Sequence, residues 1–383
     1  MGALAFLARH GRLVLPLGLA TGIALPPLAQ AMVPAIVPLI VALLFLAALR
    51  IGPRAALPRR TEIPAYLVLV LALQAIPPLL AIGVLAWLGW LGSVTGLGVV
   101  LVLAASPIVG APGLAVLARA DPVPALRALV LGTALLPLTA LPVFWLMPVF
   151  TDPVETLGAV GRLMAIILLA GGGAFGLRAA LPALGSARAI TAIDGLTALG
   201  LALVVIGLTS ALGPALRAGD PALWSTLALL LALNFGSQIA VWSVLRRRDL
   251  RMPTKPPGPP PMAPLGTPPS VPLTAASGPF PTAGPAAPPP APPLAPALAI
   301  VAGNRNLALF LGALPSETLE ALLLFVGCYQ VPMYLTPLVM ARLYRRSGPA
   351  VGPAAGAAAD PAYGAGGDRV ERSADAPGDG RKG

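Results

Sequence analysis

The stretch AIVAGNRNLALFL (299–311) holds Arg305 between Asn304 and Asn306, directly after Gly303, in an otherwise apolar run. An arginine keeps its charge at any physiological pH. Placing that charge at mid-membrane depth costs on the order of 3 kcal/mol even on a lenient scale. It therefore needs a partner or a wet cavity, and Gly303 weakens the helix beside it enough to offer one. Two uses follow. Arg305 is a fixed positive charge presented to an anion, or it snorkels to the membrane face or clamps backbone carbonyls. Gln74, Ser106, Thr133, Asn234, Ser237 and Gln238 also interrupt apolar runs. Asn234 and Gln238 are four apart and share a helical face, where they could line a cavity or bond a neighbouring helix. Asp194, close to Arg188 in sequence, reads as an interfacial ion pair in preference to a proton relay.

Nothing in the chain assembles a reaction. There is one cysteine, Cys328, within an apolar run, and one histidine, His10, in a basic N-terminal patch. No nucleophile–base pair, phosphate loop or Cys/His metal spacing appears, so neither an enzyme nor a resident metal or cofactor is expected.

The elements that must position these residues are set by composition. The 383 residues are 57% hydrophobic and 10% charged, with a mean hydropathy of +0.86. A soluble domain carries about 25% charged residues, so this chain could not cover a soluble surface. The expected class is an all-α polytopic protein of the lipid bilayer. The net charge of +11 does not imply nucleic acid, because the arginines fall between apolar segments and form no stripe.

Ten apolar segments are expected, near 13–30, 33–49, 64–88, 97–118, 125–148, 160–181, 190–213, 222–245, 296–314 and 319–341. Alternate connections carry the cations: Arg50, Arg54, Arg59 and Arg60; Arg119 and Arg127; Arg178 and Arg188; Arg246, Arg247, Arg248 and Arg251; Arg342, Arg345 and Arg346. The others carry acid, namely Asp152, Glu155, Asp220, Glu317 and Glu320, with Arg162 and Arg217 as exceptions. This alternation predicts an inner (plasma) membrane protein with both termini cytoplasmic. Arg9 and Arg12 before an apolar stretch ending in AQA (29–31) also resemble a cleaved signal peptide. Retention is the preferred reading, since Pro16, Pro26 and Pro27 suit a signal peptide poorly.

Residues 1–250 thus carry the first eight spans, with a first half at about 12–150 and a second beginning near 158. Residues 251–295 form a Pro-rich linker expected to be disordered and cytoplasmic. Residues 296–346 carry the last two spans, and 347–383 a disordered cytoplasmic tail.

Two spans are broken in a concentrated way. The fourth reads ASPIVGAPGLAVLARADP (105–122), with Ser106-Pro107, Gly110 and Pro112-Gly113 near its middle. The ninth breaks at Gly303. They occupy the same place in two sets of five, and IVGAPGLAVL (108–117) is faintly like IVAGNRNLALFL (300–311). Interrupted helices at matching positions of inverted halves point to a transporter site, here Ser106, Gly110, Gly113, Asn304, Arg305 and Asn306, with Asn234 and Gln238 beside them.

GIALPPLAQ (22–30), ALQAIPP (72–78), the broken fourth span with Arg119-Ala120-Asp121, LGTALLPLTALP (131–142) and GNRNLALFL (303–311) together resemble the bile acid:sodium symporter superfamily. The resemblance covers roughly residues 12–346 without the linker. It implies ten spans in two inverted five-helix repeats, a panel of spans 1, 2, 6 and 7, and a core of spans 3–5 and 8–10 in which spans 4 and 9 unwind and cross. It also implies an organic-anion substrate, often moved with sodium. Gln74 and Thr133 match residues of the family's sodium sites, and Asn306 the asparagine of its span-nine motif. The departures are Ala111-Pro112 in place of Ser-Asn, Val301 in place of a glutamate and Arg305 in place of a glutamine, so the sodium-ligand set is largely missing. The expected function is a secondary transporter of a small organic anion, with little or no sodium dependence. The alternative is a non-transporting membrane receptor or scaffold whose Pro-rich linker docks a proline-binding partner.

Overall fold

The structure is a computed structural model that describes residues 2–52, 58–150, 152–248 and 294–344. The tail and all but the last two residues of the Pro-rich linker lie outside them.

Among the described residues the elements are helical. In chain order they are α1 (Gly2–Arg9), α2 (Gly11–Ala24), α3 (Pro26–Ile51), α4 (Ile63–Trp87), α5 (Val94–Ala104), α6 (Ala111–Leu117), α7 (Pro122–Leu146), α8 (Pro153–Ala180), α9 (Ala187–Leu208), α10 (Leu212–Ala218), α11 (Pro221–Arg248), α12 (Ala295–Gly303), α13 (Ala308–Leu311) and α14 (Ser316–Tyr344). Seven of them, α3, α4, α7, α8, α9, α11 and α14, are long and apolar enough to cross a membrane. Their starts follow local chemistry. Proline stands at the first position of α3, α7, α8 and α11, where a missing N–H costs nothing. The side chains of Ser93, Asp121, Asp152 and Ser186 cap the first turns of α5, α7, α8 and α9.

Mid-helix residues with no polar reason to be outside are exposed: Val68, Leu80, Leu138, Leu168, Leu169 and Leu338 are all more than 60% accessible. In water such a surface would aggregate, whereas in lipid it is the required one. Exposed Trp145 and Trp224 lie at helix ends close to Asp152 and Asp220, and exposed Trp87 and Trp90 at or just beyond the end of α4, as tryptophan collects at helix ends in membranes.

The first boundary differs from the sequence expectation. The first helical stretch ends at Ala24, and the next runs from Pro26 rather than from about 33. Leu25 leaves helical geometry (φ −118°, ψ 71°), and Pro26 and Pro27 begin the new helix. AQA (29–31) therefore lies inside α3, with Ala29 fully buried.

Two groups of helices result. In one, α9 packs against α1, α2 and α3, and the second half of α8 packs along α3, while the first half of α8 packs on α7 of the other. In the other, α4 packs on α5 and α7, α11 on α12 and α14, and α7 on α6 and α12. The broken helices lie in the second group.

Candidate functional site

α5 stops at Ala104 because Ser106-Pro107 follows. Proline has no N–H to continue the ladder, and it drives the residue before it out of the helical region. The chain turns through Gly110 and resumes at α6, where Pro112 falls in the first turn. The unwound stretch is thus 105–110, shorter than the proline and glycine content suggested. α12 stops at Gly303, and Asn304 is extended (φ −105°, ψ 93°).

The two unwound stretches meet. Pro107 and Arg305 face one another in antiparallel pairing. The Ile108 N–H donates to the Asn304 carbonyl at 2.9 Å, and the Asn306 N–H to the Ser106 carbonyl at 2.7 Å. Two N–H groups and two carbonyls released by the breaks are thus satisfied across the crossing, as non-helical chain at membrane depth requires. The pairing registers 106–108 with 304–306. The alignment by sequence likeness, 108–117 with 300–311, is therefore displaced from the spatial match.

Arg305 lies at this crossing and is 3% exposed. Its Nε donates to the Ala302 carbonyl at 2.9 Å, Nη1 to the Ala105 carbonyl at 3.0 Å and Nη2 to the Leu73 carbonyl at 2.9 Å. Each of these oxygens has lost its helical partner. Four residues after Leu73 stands Pro77, which has no N–H. Four residues after Ala105 lies Val109, beyond the Pro107 break. Four residues after Ala302 is Asn306, whose N–H is bound to Ser106. The planar fork of the guanidinium reaches all three, which a lysine ammonium could not do. Of the geometries expected for Arg305, contact with backbone carbonyls is the one observed. Tyr329 braces the same turn: its hydroxyl donates to the Gly303 carbonyl at 2.6 Å and accepts from the Arg305 N–H at 2.8 Å.

A buried polar network flanks each side of the crossing. On the side of α11, α12 and α14, Asn234 Nδ2 donates to the Gly303 carbonyl at 2.6 Å. Gln238 Nε2 donates to Asn234 Oδ1 at 2.7 Å and to Thr336 Oγ1 at 3.1 Å. Thr336 Oγ1 donates to Asn304 Oδ1 at 3.1 Å, Asn304 Nδ2 to the Ile300 carbonyl at 2.9 Å, and the Tyr344 hydroxyl to Gln238 Oε1 at 2.9 Å. Gly303 is what lets α12 approach so closely, because a Cβ there would lie 2.5 Å from the Asn234 carbonyl oxygen. On the side of α4 and α7, Gln74 Nε2 donates to the Gly132 carbonyl at 3.1 Å and Thr139 Oγ1 to Gln74 Oε1 at 3.2 Å. Thr133 Oγ1 donates to Ser106 Oγ at 3.3 Å.

The structure therefore brings the expected residues together in two ways. Ser106, Asn304, Arg305, Asn234, Gln238, Gln74 and Thr133 are buried, and their side chains bond one another or backbone. Gly110 and Gly113 are exposed with open space above them, and Asn306 is half-buried. Tyr329, Thr336, Thr139 and Tyr344 complete the networks and were not foreseen. Single Thr and Tyr residues in apolar helices carry no signal of their own. Pro77-Pro78 did carry one, since it strips helical donors from the Leu73 and Gln74 carbonyls.

Fold and site together define a multi-pass helical membrane protein with two broken helices joined through their backbones. No protein-family model matches the chain, and no curated protein is significantly similar to it.

Proposed function

We propose that the chain is a secondary carrier that moves a small organic anion across the membrane by alternating access, without needing sodium. In this reading the helices make ten passes in two inverted five-span repeats. The α1–α3, α8 and α9 group serves as the panel and the group with the broken helices as the core. The observation that carries it is the crossing. The Ile108–Asn304 and Asn306–Ser106 hydrogen bonds exchange with each other when 106–108 are matched to 304–306, as a two-fold relation between halves requires. An inverted-repeat carrier places its site at such a junction of discontinuous helices.

The substrate charge follows from Arg305. Its partners are neutral carbonyls, so the charge is stabilised without being cancelled, and the crossing favours an anion. The same three oxygens explain the ion independence. Carbonyls converging from three helices would suit a cation, and here a tethered one occupies them. Gly110, Gly113 and Asn306 form the open part of the site. Ser106, Asn304, Asn234 and Gln238 hold its shape, with Gln74 and Thr133 on the opposite flank.

The test is uptake by purified protein in liposomes across a panel of labelled organic anions, with choline exchanged for sodium. Uptake unchanged by the exchange is expected. A steep sodium dependence would overturn the ion assignment. Folded protein that moves nothing would favour the receptor or scaffold alternative.

A further inference from the structure

Arg162 is one of two arginines that break the charge alternation, and it lies in α8 within the half of the membrane nearest the acidic connections. Its side chain reaches out of its own helix group. Nη2 donates to the Ala313 carbonyl at 2.7 Å, just beyond α13 in the group that holds the crossing. Two close approaches lie in the same half. A Cβ on Gly312 would stand 2.6 Å from Ile166 Cδ1 and 3.3 Å from Val37 Cγ1, and one on Gly327 would stand 2.8 Å from the Leu208 carbonyl. Each of these pairs joins one helix group to the other. In the arginine-rich half, the described ion pairs and arginine contacts include Arg50 with Asp194 and Arg178 with the Leu49 and Leu184 carbonyls in one group, and Arg127 with Glu62 in the other. There α6 presents Gly110, Gly113, Val116 and Leu117 as an exposed face. Among the described residues, the close approaches between the groups thus lie toward the acidic side, while α6 leaves an exposed face toward the arginine side.

We propose that Arg162 is the latch that holds the acidic side closed, a positioning residue that sets how often that side opens. The idea rests on the carrier reading for its purpose but not for its test. Arg162 is itself exposed, so replacing it buries no orphan charge. Its hydrogen bond ends on a carbonyl of the moving group, so breaking it biases an equilibrium between two packings.

A cysteine replaces half-buried Ala308 in a Cys328→Ala background, and a membrane-impermeant thiol reagent is added from the side of Asp152 and Glu317. Modification should be slow in this parent. Arg162→Gln should speed it by roughly tenfold, about what losing one charge-assisted hydrogen bond does to an equilibrium. Arg162→Lys, which keeps a donor, should fall between. Gly312→Val, which forces the same seam apart by bulk, should also speed it. Equal rates in the Arg162→Gln variant and the parent overturn the latch, and so does acceleration by Gly312→Val alone. Because labelling needs no substrate, failure of the carrier reading would show as missing uptake with these rates unaffected.

Discussion

Removing Arg305 should cost more stability than its own burial would suggest. Consider Arg305→Ala. Three carbonyls, those of Leu73, Ala105 and Ala302, lose their donor at a depth where no water is guaranteed. An orphaned buried acceptor costs about 1–3 kcal/mol, so the three together cost roughly 3–9 kcal/mol. Against this, the variant no longer buries a guanidinium, a relief on the order of 3 kcal/mol. The net loss is about 3 kcal/mol at the middle of the range. For a chain of this size that lowers the midpoint of thermal unfolding by roughly 4–5 °C. Tryptophan fluorescence of the detergent-purified protein during heating reads it directly.

Two companions sharpen the prediction. Arg305→Lys should recover only part of the loss, because one ammonium cannot reach three oxygens arranged for a planar fork. Guanidinium ion at low millimolar concentration, far below denaturing levels, should restabilise Arg305→Ala and leave the parent unchanged, since only the variant has the three carbonyls vacant. An Arg305→Ala protein that melts with the parent, or one that guanidinium does not raise, would refute the clamp. Arg305 would then be a tolerated passenger whose neighbours find other donors.

Other positions give contrasting outcomes. Gly303→Ala sets a Cβ 2.5 Å from the Asn234 carbonyl and 2.4 Å from Gln238 Cγ; it should destabilise by about 2–3 kcal/mol through overpacking, whereas Gly110→Ala, with nothing within 4 Å, should melt close to the parent. Glu62 is 1% exposed and paired with Arg127 Nη1 at 2.9 Å. Arg127→Met alone should cost about 3–5 kcal/mol by stranding that carboxylate, and adding Glu62→Met should restore most of it, both read from the same melting curves.

The membrane class and the long helices were legible because both rest on composition, which does not depend on neighbours. The two breaks were legible because Pro107 and Gly303 are local breakers whose effect is nearly context-free, while their meeting was an expectation carried by the family resemblance. The register was not legible. Likeness of apolar letters aligned 108–117 with 300–311, but the spatial match follows which N–H and C=O are left free, and that selects 106–108 and 304–306. The first boundary failed for a related reason: hydropathy is continuous across Leu25, and only Pro26-Pro27 marks the end. The role of Arg305 divided along the same line. Its need for a partner could be read from charge alone. That the partners are carbonyls of residues 73, 105 and 302 required three separate breaks to be placed around one point, which no spacing in the chain records.

These observations fit together mechanically. A carrier that rocks one helix group against another needs a rigid centre and a weak seam. The centre is rigid here because many of the groups released by unwinding are bound. Backbone pairs with backbone at 106–108 and 304–306, Arg305 takes three carbonyls, Tyr329 and Asn234 share a fourth, and the amide and hydroxyl networks fill the flanks. Opening any of these would expose unpaired polar groups to hydrocarbon, so the crossing moves as a unit or not at all. The seam is different. Across it, among the described residues, lie close-packed glycines, apolar side chains and the Arg162–Ala313 bond, whose partners water or headgroups can replace at little cost. Motion should therefore concentrate between the groups, and variants at the seam should change accessibility while variants at the crossing change melting. A variant at the crossing that altered accessibility while leaving the melting temperature unmoved would break this division.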